Sequence, residues 1–211
     1  MHVFTDWLRQ GNSIVLVPGW RDSGPQHWQS RWQQHDPAMR RVVQDNWETP
    51  ALQDWGIRLD ATLQKASGQI LIVAHSLGCL TVAHWAEHYR ANTHRVHAAL
   101  LVAPADSERP QRPWQGSGFS PRSRAPLPFP SLLVASDNDP ACTPAAAQAM
   151  ARDWRSRFTL LAGLGHINAD SGLGDWLAGQ ALAATLLESR PLAGSSVASP
   201  PVMASPAQAL G

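Results

Sequence analysis

The stretch Ile70-Leu71-Ile72-Val73-Ala74-His75-Ser76-Leu77-Gly78 decides the fold. Its unbroken apolar run reads as a strand covered on both faces, the pattern of a parallel sheet rather than of a half-solvated one. A serine follows with no linker, and from Leu77 to Tyr89 the pattern turns helical. Strand, serine and helix in direct succession are the context of a nucleophile elbow, a turn so tight that the positions two before and two after the serine must be small. Here they are Ala74 and Gly78, so alanine stands where the usual motif has its first glycine. Such a turn projects the Ser76 hydroxyl into a cleft. It also aims the Leu77 N–H at the place where a tetrahedral oxyanion would form, with the positive end of the helix behind it.

Working outward, further apolar runs at 13–17, 41–43, 69–74, 96–103, 131–135 and 158–161 predict strands, the second being the shortest. Segments of helical period lie between and after them, at 25–35, 51–65, 77–89, 144–154 and 173–187. Pro25 and Pro144 suit first helical positions, the latter after Thr143 as an N-cap. The alternation predicts an α/β domain over residues 1–188: a doubly wound, mainly parallel sheet of about six strands with helices on both faces. Residues 104–130 are rich in proline and aperiodic. They leave the C-terminal edge of the fourth strand, where α/β enzymes place their sites, and are read as a rim or short lid. Residues 189–211 are mostly Ser, Pro, Ala and Gly and are expected to be a disordered tail.

Composition excludes several function classes. The 211 residues carry a formal net charge of +1 and no basic stripe, so no nucleic-acid partner is implied. No apolar run approaches the roughly 18 residues of a membrane span, and the first residues do not read as a signal peptide. Two cysteines, Cys79 and Cys142, do not make a disulfide framework, and a cytoplasmic location is expected. Ten tryptophans are many for this length. Most are expected to fill the core, with one or two walling an acyl or aryl pocket.

A serine hydroxyl is a weak nucleophile and needs a base. In this type of fold the partners follow in the order serine, acid, histidine. After His97 only His166 remains, in Ala162-Gly163-Leu164-Gly165-His166-Ile167-Asn168, directly after the last strand. Between serine and histidine, Asp137 and Asp139 follow the fifth strand at once, and spacing leaves them nearly even. Glu87 and Asp153 fall in helices, and Asp106 and Glu108 in the proline-rich loop. The loop Val17-Pro18-Gly19-Trp20 after the first strand is expected to supply the second oxyanion donor, the Trp20 N–H, with Gly19 allowing close approach to substrate. His27, Trp28 and His75 complete the expected pocket. His84-Trp85-Ala86-Glu87-His88 matches H-x-x-E-H, but no third ligand is evident and no metal or other cofactor is expected.

These residues, taken in order, resemble the family of small serine hydrolases typified by retinoblastoma-binding protein 9 and the bacterial YdeN protein. The likeness covers about residues 12–187 and rests on Pro18-Gly19 with Gln26-His27-Trp28 and Trp32. It continues through Ala74-His75-Ser76-Leu77-Gly78, Ser136-Asp137-Asn138-Asp139-Pro140, Gly165-His166-Ile167-Asn168, Ser171-Gly172 and Trp176. The resemblance implies a compact α/β hydrolase with a triad of Ser76, Asp139 and His166, and so favours Asp139 over Asp137. It implies cofactor-independent hydrolysis of carboxylic ester or amide bonds in a small-molecule substrate. The L-x-C-x-E motif linked to retinoblastoma binding reads Leu77-Gly78-Cys79-Leu80-Thr81 here, so no such partner is expected. The reading that follows is a carboxylic-ester hydrolase acting through an acyl-enzyme. A ligand- or protein-binding module without turnover, and an acyltransferase using the same triad, are the alternatives.

Overall fold

The computed structural model describes residues 2–110 and 114–188. The segment 189–211, expected as a tail, lies outside the described residues. Six strands form one sheet: β1 (Ser13–Val17), β2 (Arg40–Arg41), β3 (Ile70–His75), β4 (Val96–Val102), β5 (Ser131–Ser136) and β6 (Arg157–Leu161). Their order is β2-β1-β3-β4-β5-β6 and every pairing is parallel. Six helices connect and flank them: α1 (His2–Arg9), α2 (Trp28–His35), α3 (Leu52–Gln64), α4 (Leu77–His88), α5 (Pro144–Trp154) and α6 (Leu177–Leu187).

The unbroken apolar runs have a direct cause. Successive strand residues point to opposite faces, and both faces are covered. Val15, Val17, Ile72, Ala74 and Leu101 pack with α3, α4 and α5 through Leu59, Leu80, Met150 and Trp154. Ile14, Leu16, Leu71, Val73 and Leu100 pack on the other side with α1, α2 and α6 through Phe4, Trp32 and Leu186. The sheet is therefore doubly wound. β6, at the edge, is half-exposed, and Leu160 is open to solvent.

Element boundaries differ from the sequence reading where side chains override it. The helix expected from Pro25 starts at Trp28, because His27 takes the N-cap and its Nδ1 accepts from the Gln29 N–H at 3.2 Å. The helix expected from residue 173 starts at Leu177. Trp176 precedes it at a φ of 39° with its indole folded onto Gly179, where a Cβ would lie 2.1 Å from the ring. β2 is two residues long, and Val43, expected in it, is exposed. Helix α1 was not expected; Phe4 anchors it in the core and the Trp7 Nε1–H donates to the Ser13 carbonyl at 3.1 Å. Among the described residues, no helix is long and apolar enough to cross a membrane.

Strand order places the site. β1 lies between β2 and β3, so the chain leaves its neighbours in opposite directions and a crevice opens beyond the C-terminal ends of β1 and β3. Those two ends approach very closely. A Cβ on Gly78 would fall 2.3 Å from the Val17 carbonyl oxygen and 2.7 Å from that of Pro18. Both obstacles are backbone, so nothing can swing aside. Gly78→Ala is expected to destabilise the protein by about 1–3 kcal/mol, the usual range for overpacking a tight site. A urea denaturation midpoint equal to that of the parent chain would contradict this.

Candidate active site

Ser76 sits at the turn from β3 into α4 with φ 55° and ψ −124°, a strained conformation for a residue with a side chain. Its own N–H donates to the Val102 carbonyl at 3.0 Å, which ties the turn to β4. Leu77 opens α4, so its N–H has no acceptor within the helix. Gly19, at the end of β1, presses against the serine: a Cβ there would come 2.6 Å from the Ser76 Cβ and 3.2 Å from its Oγ. Any side chain at position 19 would collide with the hydroxyl-bearing turn.

Three side chains from three loops meet at this edge. The His166 Nε2 lies 2.9 Å from the Ser76 Oγ. The His166 Nδ1 lies 3.0 Å from both carboxylate oxygens of Asp139. Asp139, after β5, is nearly sealed from solvent, and its Oδ1 accepts a further bond from the Ala141 N–H at 2.7 Å. A hydroxyl so placed can pass its proton to the imidazole, with the carboxylate fixing the ring and meeting the charge that forms.

Asp137, which spacing alone leaves nearly level with Asp139, does something else. Its Oδ1 accepts from the Gly163 N–H at 2.8 Å. The next residue, Asn138, accepts from the Gly165 N–H at 2.7 Å and from the Ser136 hydroxyl at 2.8 Å, while Ser136 accepts from the Leu164 N–H at 2.9 Å. The turn after β5 thus grips the loop after β6 through three consecutive side chains and offers the fourth to the histidine.

The loop carrying His166 is also held from beneath. The His75 Nε2–H donates to the His166 carbonyl at 2.9 Å, and the Trp28 indole N–H donates to the Ile167 carbonyl at 2.8 Å. This corrects the expectation for Trp28. It is buried among Trp32 and Trp176 and does not line the cavity; it supports the histidine loop. The Trp32 indole likewise donates to the Asp175 carbonyl at 2.7 Å.

A cavity of about 400 Å³ opens over Ser76 and His166. His27 and His75 line it, as expected, with their rings 4.7 Å apart centre to centre. Its wall also holds the side chains of Trp20, Asp22 and Trp114. Trp114 comes from the proline-rich segment, which therefore contributes to the rim. Nothing in the sequence separated it from Phe119 and Phe129 of the same segment, which are buried in the core. A second groove, among Arg40, Arg58 and Lys65, lies away from these groups and brings no nucleophile with it.

His84 and His88 of the H-x-x-E-H segment stack at 4.1 Å on α4. Among the described residues, no group of three or more His, Cys, Asp or Glu side chains is gathered as a metal site. Cys79 and Cys142 are buried free thiols, and burial pushes Cys79 well up from the ordinary thiol value.

With this geometry in hand, the comparisons with known proteins are decisive on family. Residues 14–185 match the serine hydrolase family. The chain belongs to that family. A YdeN-like hydrolase from Pectobacterium atrosepticum is 31% identical, with a TM-score of 0.77 over 88% of this chain and 96% of that one. The ydeN gene product of B. subtilis is 17% identical (TM-score 0.62, 84% of this chain and 100% of that one). Est1E from Butyrivibrio proteoclasticus is 16% identical (TM-score 0.60, 84% and 88%). The last two share the fold. Comparison with curated proteins gives no match. This protein is thus a YdeN-like serine hydrolase, with hydrolase activity and an α/β-hydrolase fold.

The buried histidines give this hydrolase an acid sensitivity. His27 is pushed down to about 3, first by burial, then by the charge of Arg41 and the neighbouring His166. His75 is held well below 6.5, again by burial first. In the unfolded chain both titrate near 6.5. Between that pH and about 3, the unfolded state binds a proton at position 27 that the native state does not. Stability is therefore fully present above about pH 6.5 and declines as pH falls, by up to about 1.4 kcal/mol per pH unit for each such histidine. His27→Asn keeps a capping acceptor and removes the titration, so its unfolding free energy should fall less steeply from pH 6 to 4. Parallel slopes for the two proteins in urea melts would refute this assignment.

Proposed function

We propose that this serine hydrolase cleaves carboxylic esters of small molecules through an acyl-enzyme, with Ser76 as nucleophile, His166 as general base and Asp139 as the orienting acid. The observation that carries the reading is the unbroken hydrogen-bonded chain from Asp139 through His166 to Ser76 at the floor of a cavity. His166 takes the proton from the hydroxyl as the oxygen attacks the ester carbonyl. The bound carboxylate of Asp139 holds the ring with Nδ1 protonated and Nε2 free to accept. The N–H groups of Leu77 and Trp20 stabilise the oxyanion. Support for Leu77 is its place as the first helical residue, and for Trp20 the contact of Gly19 with the serine turn. Loss of one such donor costs on the order of 100- to 1000-fold in rate. The alcohol leaves with the proton carried by His166. A water then attacks the acyl-enzyme, its proton passing to His166, which returns it to the Ser76 oxygen as the acid is released.

Asp139→Asn should lower kcat by roughly 1000- to 10,000-fold with little change in KM, because the amide favours the wrong ring tautomer. Ser76→Ala should abolish both the nitrophenol burst from p-nitrophenyl acetate and covalent labelling by a fluorophosphonate. Labelling that survives Ser76→Ala, or an intact cleft with no burst across acyl chain lengths, would overturn the reading. The second result would point to binding without turnover. Product analysis with an added alcohol or amine separates hydrolysis from acyl transfer.

A further inference from the structure

The cavity over Ser76 also carries information about what it accepts. Its ionisable groups, among the described residues, are four: Asp22, His27, His75 and His166. None of them offers a free charge. The Asp22 Oδ1 lies 2.6 Å from Arg41 Nη1 and accepts from the Ser23 N–H at 2.7 Å. Arg41 in turn is nearly buried and donates to the Ser30 hydroxyl and the Ser23 carbonyl. His166 is committed to Asp139 and Ser76. His75 donates to the His166 carbonyl, and His27 caps α2 through Nδ1, leaving its buried Nε2–H as a neutral, unpaired donor. Burial holds both of these rings neutral. A carboxylate or ammonium entering here would lose its water and find no uncompensated opposite charge, a combination that strongly disfavours binding.

The cavity wall is also aromatic. Trp20 and Trp114 meet edge to face, ring centres 5.5 Å apart at 63°. Trp20 is held by two contacts: its indole N–H donates to the Glu48 carbonyl at 3.0 Å and the Arg21 guanidinium, itself paired with the Glu48 carboxylate at 2.9 Å, stands 4.3 Å over its ring. Trp114 is buried against the core beside it. A pre-set pair of indoles favours a flat, electron-rich or neutral ring, which can extend the same edge-to-face arrangement without ordering new side chains.

We propose that this site is selective for uncharged, aryl-bearing esters, with Trp20 and Trp114 as the wall that seats the ring. The inference rests on the ester-hydrolase reading above. Its test uses simple alkyl and arylalkyl esters followed by pH-stat. With the whole chain, either ethyl phenylacetate or phenethyl acetate is expected to exceed ethyl acetate in kcat/KM by tenfold or more. Monoethyl succinate and the ethyl ester of 4-aminobutanoic acid are each expected to fall at least 100-fold below ethyl butyrate. Trp114→Ala should cut the aryl-to-ethyl-acetate ratio at least tenfold, with Trp114→Leu used if the alanine variant does not fold. The wild-type ratios test the inference even if neither variant folds.

Turnover of either charged ester within tenfold of ethyl butyrate would overturn the proposal. So would an aryl preference absent on both the acyl and the alcohol side, or a preference unaffected in the tryptophan variants. Fluorophosphonate labelling of Ser76 separates these failures from that of the parent reading. A labelled serine with the wrong selectivity sinks the aryl proposal alone, whereas an unlabelled serine with no ester turned over sinks both.

Discussion

The active edge depends on how closely two backbone segments approach at the switch point of the sheet. The exit of β1 runs over the start of α4 with its carbonyl groups so near Gly78 that there is no room for a methyl group. The same exit, one residue on, lays Gly19 against the Ser76 turn. This contact fixes the depth at which the serine stands and brings the loop carrying Trp20 alongside it. Ser76 can keep a φ of 55° because it is clamped on both sides, by its N–H bond to Val102 and by the β1 exit. The strain is local, and the surrounding parallel sheet over-determines it.

A second layer of order serves the histidine. His166 lies on a loop, and a loop alone would not hold an imidazole to within a few tenths of an ångström. Here the Ser136–Asn138 turn takes three successive N–H groups of the loop, from Gly163 to Gly165, and His75 and Trp28 take two carbonyls beyond them. Two of the supporting groups, His75 and Trp28, are buried polar side chains whose removal would leave unpaired backbone oxygens.

The sequence made legible what depends on periodicity and punctuation. The core strands were readable because β1, β3, β4 and β5 are covered on both faces and so are apolar without interruption. Ser76 and His166 were readable because strand, turn and glycine punctuation mark the ends of those strands. What escaped depends on tertiary contacts. β2, expected at 41–43, is instead Arg40–Arg41, held by pairing with β1, a shift that no apolar pattern announces. The start of α2 belongs to a histidine cap rather than to Pro25. Trp28 was expected in the pocket with His27, but only His27 lines the cavity. Adjacent residues at a helix start point in different directions, and the indole turns into the core. Trp114 was invisible for the opposite reason, since an aperiodic proline-rich segment gives no clue as to which of its aromatics faces the site.

The case of Asp137 and Asp139 shows why spacing could not choose between them, and why the geometry does. Both follow β5 within three residues of its end, and either could carry a carboxylate to the sheet edge. What separates them is the prior claim on the turn. The loop after β6 must be tied down before its histidine has a fixed position, and the residues nearest the strand are the ones within reach of Gly163, Leu164 and Gly165. Ser136, Asp137 and Asn138 are used up in that way, each by a backbone N–H. Asp139 is the first side chain past the tie, and its carboxylate is left facing the imidazole with one further bond from Ala141. Acid and histidine are therefore positioned by one structure, so a change that loosens the tie displaces both ends of their hydrogen bond together. On physical grounds the turn and the loop act as a single unit, and the serine, held separately by the β1 exit, is the fixed point against which that unit is set.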